Sequence, residues 1–180
     1  MYDGDPDKRK YYELATKLFY EYYADYFEGE HPRIERYEVP YENGRLPVMH
    51  VKPEGERKGL ILIHGGNDSY FEEFLFTILY LQEKGFEVYM FEGPGQGGVM
   101  RLQGIHYTHE WEKPVKAILD YFDLRDVTIV GISSAVIWHR ERLLLTNALR
   151  RLLHGLFSRV FRISLSGRSS PPYRKRFACL

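Results

Sequence analysis

Residues 59–66, GLILIHGG, decide the fold: a short apolar run ending in a histidine and a glycine pair. Five apolar or small residues in a row before the histidine suit a strand buried on both faces of a parallel sheet. The glycine pair then turns the chain. Residues 69–84 follow with Phe71, Phe74, Leu75, Ile78 and Leu79 at helical spacing, and Gly85 is the stop. The pattern then repeats. Residues 86–91, FEVYMF, read as a second buried strand and end in Glu92-Gly93-Pro94-Gly95-Gln96-Gly97-Gly98. Residues 114–122 read as a helix with Pro114 in its first turn and Val115, Ile118, Leu119 and Phe122 inward. Residues 127–131, VTIVG, are a third strand and run into Ile132-Ser133.

Upstream, residues 34–39 and 46–51 have β character, with Asn43-Gly44 between them as a hairpin signal. Residues 7–27 read as a helix whose Tyr11, Leu14, Leu18, Tyr22 and Phe27 fall near a 3.6-residue period, a face expected to pack on the core. The order is therefore a helix, a β-hairpin and then β-α-β-α-β. Alternating strands and helices imply right-handed crossovers and a parallel sheet, so the class is α/β.

Composition sets the outer bounds. A chain of 180 residues has room for one core, and 44% apolar content suits a globular protein. The single Cys179 allows no intrachain disulfide, and the first residues lack a basic start with an apolar run. No stretch nears the roughly 18 apolar residues of a membrane span. A cytoplasmic protein without a membrane segment is the expectation. The zero net charge conceals an asymmetry. Residues 1–133 carry 15 Lys and Arg against 24 acids, whereas residues 134–180 carry 10 Lys and Arg against Glu141 alone. A swing of this size suggests a nucleic-acid or membrane tail, or another origin considered below.

Three turns carry candidate chemistry. Gly131-Ile132-Ser133 closes a strand as a nucleophile elbow does, although Ala135 stands where the pattern has its last glycine. Taken alone, a structural serine explains it. The His64-Gly65-Gly66-Asn67 turn could aim backbone N–H groups at a developing oxyanion, or be a plain β-α turn. The 93–98 run also fits the dinucleotide fingerprint. That fingerprint, however, belongs to a first strand feeding directly into a helix, and residues 99–107 show no clear helix. His106 and His109, beside Glu110, lack a third zinc ligand and read as a solvated loop. No cofactor or metal is expected.

In order and spacing, these three turns resemble the α/β-hydrolase superfamily over residues 34–133. The stretch 91–121, with Trp111 and Pro114, looks like the branch of acylaminoacyl-peptidase-like and pseudooxynicotine-hydrolase-like enzymes. The resemblance implies a serine hydrolase acting on a small-molecule ester or amide. Ser133 would be its nucleophile, with backbone oxyanion donors at Gly66 or Asn67 and at Ser134. It implies a helical cap, which residues 1–33 would supply, and an acid and a histidine far downstream of the serine. Neither His139 nor His154 lies where that order would put the histidine.

After Ser133 the resemblance stops. A family-like continuation, SLGGYLASRAAAFDERVKTVIA, can be encoded so that losing one nucleotide after the serine codon yields SAVIWHRERLLLTNALRRLL. That string is residues 134–153 of this chain. On this reading residues 134–180 are an out-of-frame tail, the sheet ends at the 127–131 strand, and the chain as it stands cannot complete a triad. Arginine-rich frame-shifted text then accounts for the basic tail without nucleic acid. Two other classes stay open: a non-catalytic hydrolase-fold fragment, and a nucleotide-binding α/β domain.

Overall fold

The computed structural model describes residues 7–30, 33–66 and 69–132, and the backbone of residues 158–163. Two helices come first, α1 (Lys8–Tyr22) and α2 (Ala24–Glu28). The hairpin β1 (Glu35–Tyr41) and β2 (Gly44–Val51) is followed by β3 (Gly59–His64). A 3-10 turn at Phe71–Phe74 leads into α3 (Leu75–Glu83), and then come β4 (Phe86–Phe91), α4 (Gly97–Arg101), α5 (Glu112–Tyr121) and β5 (Val127–Ile132). A last strand, β6, covers Ser158–Ile163.

The strands form one sheet in the order β1-β2-β4-β3-β5-β6. The pairs β3–β4 and β3–β5 are parallel, and the hairpin joins antiparallel through β2–β4. This is the predicted hairpin followed by a β-α-β-α-β parallel sheet. The continuous apolar runs are needed because helices cover both faces. Leu60, Leu62, Tyr89, Phe91 and Ile129 lie with Trp111 and the buried side of α5. The alternate residues Ile61, Ile63, Val88, Met90 and Val130 lie with α3. Successive strand side chains point to opposite faces, so a polar alternate would sit beneath a helix. Each buried Ile, Leu or Met contributes about 1.5–3 kcal/mol.

Four local readings differ from the structure. The N-terminal helix breaks at Tyr23, and of the five residues expected to face inward only Phe27 does. Tyr11, Leu14, Leu18 and Tyr22 are exposed, while Phe19, Tyr20, Tyr23, Tyr26 and Phe27 pack against the α3 side of the core. Aromatics surround this segment, so two stripes share the helical period and hydrophobicity alone could not choose between them. The hairpin turn is Glu42-Asn43, one residue earlier than expected, because Tyr41 pairs with Gly44. Gly44 is a strand residue, and a Cβ there would lie 2.3 Å from Gln103 Oε1. Gln103 straps this edge, accepting from Arg45 N–H (2.7 Å) and donating to the Arg45 carbonyl (2.8 Å).

The glycine run after β4 does feed a helix, the five-residue α4, which overlaps the 99–107 stretch that showed no clear helix in the sequence. Finally, the sheet does not end at β5. β6 pairs antiparallel with it, from Val127 opposite Ile163 to Ile132 opposite Ser158. An open strand edge is a row of unpaired N–H and C=O groups that any extended segment can satisfy. Residues 158–163, SRVFRI, contain three strand-favouring residues, which the arginine content outweighed in the sequence reading.

Candidate active site

The three turns meet because the parallel register brings their strands to one level. His64 lies opposite Phe91 on one side and opposite Gly131 on the other. The turns after β3 and β4 and the exit of β5 therefore share the C-terminal edge of the sheet, where open α/β sheets place their ligands. β5 ends at Ile132, directly before Ser133. Ser133, Ser134 and Asn67 lie outside the described residues. Gly66 is described. Its N–H donates to Ser69 Oγ at 2.9 Å, and Ser69 N–H returns to the Gly66 carbonyl at 3.3 Å.

Two buried polar side chains bind the turns after β3 and β4 together, and sequence reasoning assigned neither of them. Gln96 is 1% exposed. Its Nε2 donates to the carbonyls of Gly65 (2.5 Å) and Gly66 (2.9 Å), and its Oε1 accepts from Gly93 N–H (2.8 Å). Glu92, also 1% exposed, accepts from Phe71 N–H (3.1 Å) and Gly98 N–H (2.8 Å). Burial pushes the Glu92 carboxyl up to about 8, Glu72 nearby adds to the rise, and the N–H donors offset part of it. A usable signal was present: two polar residues sit inside a glycine turn directly after the strand segment VYMF. Such residues face the interior and need partners.

This network bears on the nucleotide reading. A phosphate loop needs free backbone N–H groups. Here Gly93 N–H goes to Gln96, Gly95 N–H to the Ile105 carbonyl, Gln96 N–H to the Gly93 carbonyl, Gly97 N–H to the Ser69 carbonyl and Gly98 N–H to Glu92. These five N–H groups donate to the protein itself, so none of them is left for a phosphate.

An aromatic and acidic layer closes the site toward the N-terminal helices. Tyr12 stacks on Tyr70 with centroids 5.5 Å apart. Tyr20 donates to Glu72 Oε1 at 3.3 Å, and the Arg36 guanidinium lies 3.9 Å above the Tyr20 ring. Burial raises the Glu72 carboxyl above the ordinary range despite these donors, and raises the Tyr12 and Tyr20 phenols as well. On the other side Trp111, buried, stacks with Tyr107 (5.7 Å) and tilts against His64 (5.1 Å). Gly93 passes so close that a Cβ would lie 2.6 Å from the Trp111 ring. His106 and His109 are exposed. Among the described residues no group of three or more His, Cys, Asp or Glu could hold a metal, and no helix is long and apolar enough to cross a membrane.

Comparison with known proteins agrees with this geometry. No protein-family model matches the chain. An α/β hydrolase, psoB, of Aspergillus fumigatus is 36% identical over 96 residues, 48% of this chain and 22% of that protein. A hydrolase, ORFZ, of Pyricularia oryzae is 30% identical over 129 residues, 66% of this chain and 29% of that protein. The chain thus spans between about a fifth and a third of the length of the curated relatives it matches. Among solved structures, the 2,6-dihydroxy-pseudo-oxynicotine hydrolase superposes with a TM-score of 0.59 at 22% identity, over 71% of this chain and 37% of that one. AbyA5 superposes with a TM-score of 0.60 at 19% identity, over 75% and 39%.

Proposed function

Because the chain belongs to the α/β-hydrolase superfamily through residues 34–132, we propose that it is the front part of a serine hydrolase of ester or amide bonds. Ser133 would attack the carbonyl of a small-molecule substrate. Backbone N–H groups of Gly66 or Asn67 and of Ser134 would receive the oxyanion, and the N-terminal helices would form part of the cap. The observation that carries this reading is the common level of His64, Phe91 and Gly131, which sets the His64-Gly65-Gly66 turn beside the C-terminal end of β5. Such a turn beside a strand-ending serine is the arrangement acyl transfer needs.

The acid and the histidine belong to a continuation that residues 134–180 do not encode in their present frame. Without a base the serine hydroxyl stays neutral and a weak nucleophile, so the 180-residue chain is inactive. The test compares two proteins: the chain as it stands, and the product of a gene with one nucleotide inserted after the Ser133 codon. The restored enzyme should hydrolyse an activated ester, and Ser133→Ala should lower its rate by several orders of magnitude. Equal turnover by the unrestored chain would refute the frame argument and direct attention to His139 and His154. A second reading, a non-catalytic hydrolase-fold fragment, is favoured by one observation: Gly66 N–H is engaged by Ser69 Oγ at 2.9 Å. A fluorophosphonate probe separates the two, since only an activated serine is labelled.

A further inference from the structure

We propose that Gln96 is a positioning residue: its side-chain amide sets the direction in which the Gly65–Gly66 peptide faces, and with it the aim of the N–H groups of that turn. The inference rests on the reading that this turn supplies oxyanion donors. Gln96 comes from the turn after β4, yet both of its donor contacts are to the turn after β3, the carbonyls of Gly65 and Gly66. Its acceptor is filled from its own turn by Gly93 N–H. All three functional positions of the primary amide are thus used for bonds between backbone segments.

A trans peptide is planar, with its C=O and N–H on opposite sides. Drawing the Gly65 carbonyl toward Gln96 therefore turns Gly66 N–H away from it, to where it meets Ser69 Oγ. Two consecutive glycines have no Cβ to resist rotation of that peptide. His64 Nδ1, 3.1 Å from the Gly65 carbonyl, and Ser69 Oγ hold it from within the turn, and Gln96 adds the hold from the turn after β4. Oxyanion donors act only when their direction is set before charge develops. Few side chains could replace Gln96. Asparagine is one methylene too short, leucine has no donor, and an ionised glutamate would present a second acceptor to two carbonyls.

Glutamate supplies the test, because its donor ability depends on pH. A protonated carboxyl can donate to a glycine carbonyl, an ionised one cannot, and either form still accepts from Gly93 N–H. Amide hydrogen-exchange protection at Gly66 and Gly93 would be measured by NMR on the 180-residue chain and on its Gln96→Leu and Gln96→Glu variants, at pH 5 and pH 8. Gln96→Leu should lose at least tenfold protection at both amides at both pH values. Gln96→Glu should keep both near the parent level at pH 5. At pH 8 it should lose tenfold or more at Gly66 while Gly93 remains protected. If Gln96 only fills space, the glutamate variant will not split the two amides. Equal loss at pH 5 and pH 8, including outright unfolding at both, would overturn the proposal, as would full protection of Gly66 in the leucine variant. In the frame-restored enzyme, Gln96→Leu should lower kcat at least tenfold with KM within about twofold, and an unchanged kcat would overturn the positioning role. If the restored parent shows no turnover, the serine-hydrolase reading falls, and the exchange result alone decides whether Gln96 orients the turn.

Discussion

Gly97→Ala should be among the most damaging single-methyl additions available in the chain. A Cβ at this position would lie 1.7 Å from Glu92 Oε1 and 2.2 Å from its carboxyl carbon. Non-bonded carbon and oxygen do not approach within about 3 Å, so the buried carboxyl must shift by more than about 1 Å. That breaks its bonds from Phe71 N–H and Gly98 N–H and leaves two buried donors unsatisfied, at about 1–3 kcal/mol each. The backbone adds to the cost, since Gly97 has φ +29° and a side chain on the left-handed side costs about 1–2 kcal/mol. The total is about 3–8 kcal/mol, or roughly 10–25 °C in Tm for a domain of this size. Gly104→Ala is the internal control. Its φ is +69°, but nothing lies within 4 Å of the added Cβ, so it should show the backbone cost alone, about 1–2 kcal/mol. Circular dichroism melts of the two variants measure the difference. Tm values within about 3 °C of one another would refute the claim that Glu92 is held against Gly97.

Other outcomes follow from the same packing. The Glu92 carboxyl is raised from 4.5 to about 8 by burial, so the fold holds a proton that the unfolded chain releases near 4.5. Its contribution is complete below that pH and is lost as pH climbs toward 8; Glu92→Gln should flatten this part of a stability-against-pH profile, and an unchanged slope would refute the assignment. His50 is buried between Glu35 Oε2 (3.0 Å) and Glu87 Oε1 (2.8 Å). His50→Phe should cost about 1–3 kcal/mol in a urea titration by removing the hydrogen-bond partner that Glu35 and Glu87 share, and a loss under about 0.5 kcal/mol would count against it. On α1, Leu18→Ser should change stability by no more than about 0.5 kcal/mol, whereas Phe19→Ala should cost about 2–3 kcal/mol. The reverse order would restore the face expected from sequence.

The sheet was legible in the sequence because both of its faces are covered. In β3, β4 and β5 burial on two sides forces mainly apolar runs, and β3 and β4 matched their predicted bounds to the residue. The inner side of α5 was legible for a related reason, since one of its stripes is apolar and the other is not. The N-terminal helix was not, because tyrosine occurs all around it and a phenol is tolerated inside or out. The turn at Glu42-Asn43 was misplaced because the usual asparagine-glycine signal ignored Gln103, 58 residues on from Arg45 and pressed against Gly44. At the site, the sequence pointed to backbone and nucleophile but not to Gln96 or Glu92. Their importance lies in contacts made 30 and 21 residues away, and local pattern carries no record of such distances.

The sheet order also has a consequence for how the chain is made. β3 is central, with β4 on one side and β5 on the other, yet it is translated before both. The partner on its β5 side leaves the ribosome only after residue 132 is added, roughly 3–14 s later at 5–20 residues per second. For that interval GLILIH has an apolar, hydrogen-bonding flank with no mate, and a nascent chain in that state is an apt client for a trigger-factor or Hsp70-type chaperone. Ribosome pausing within residues 92–126 would lengthen the interval, and synonymous codon changes there should alter soluble yield without altering a single amino acid.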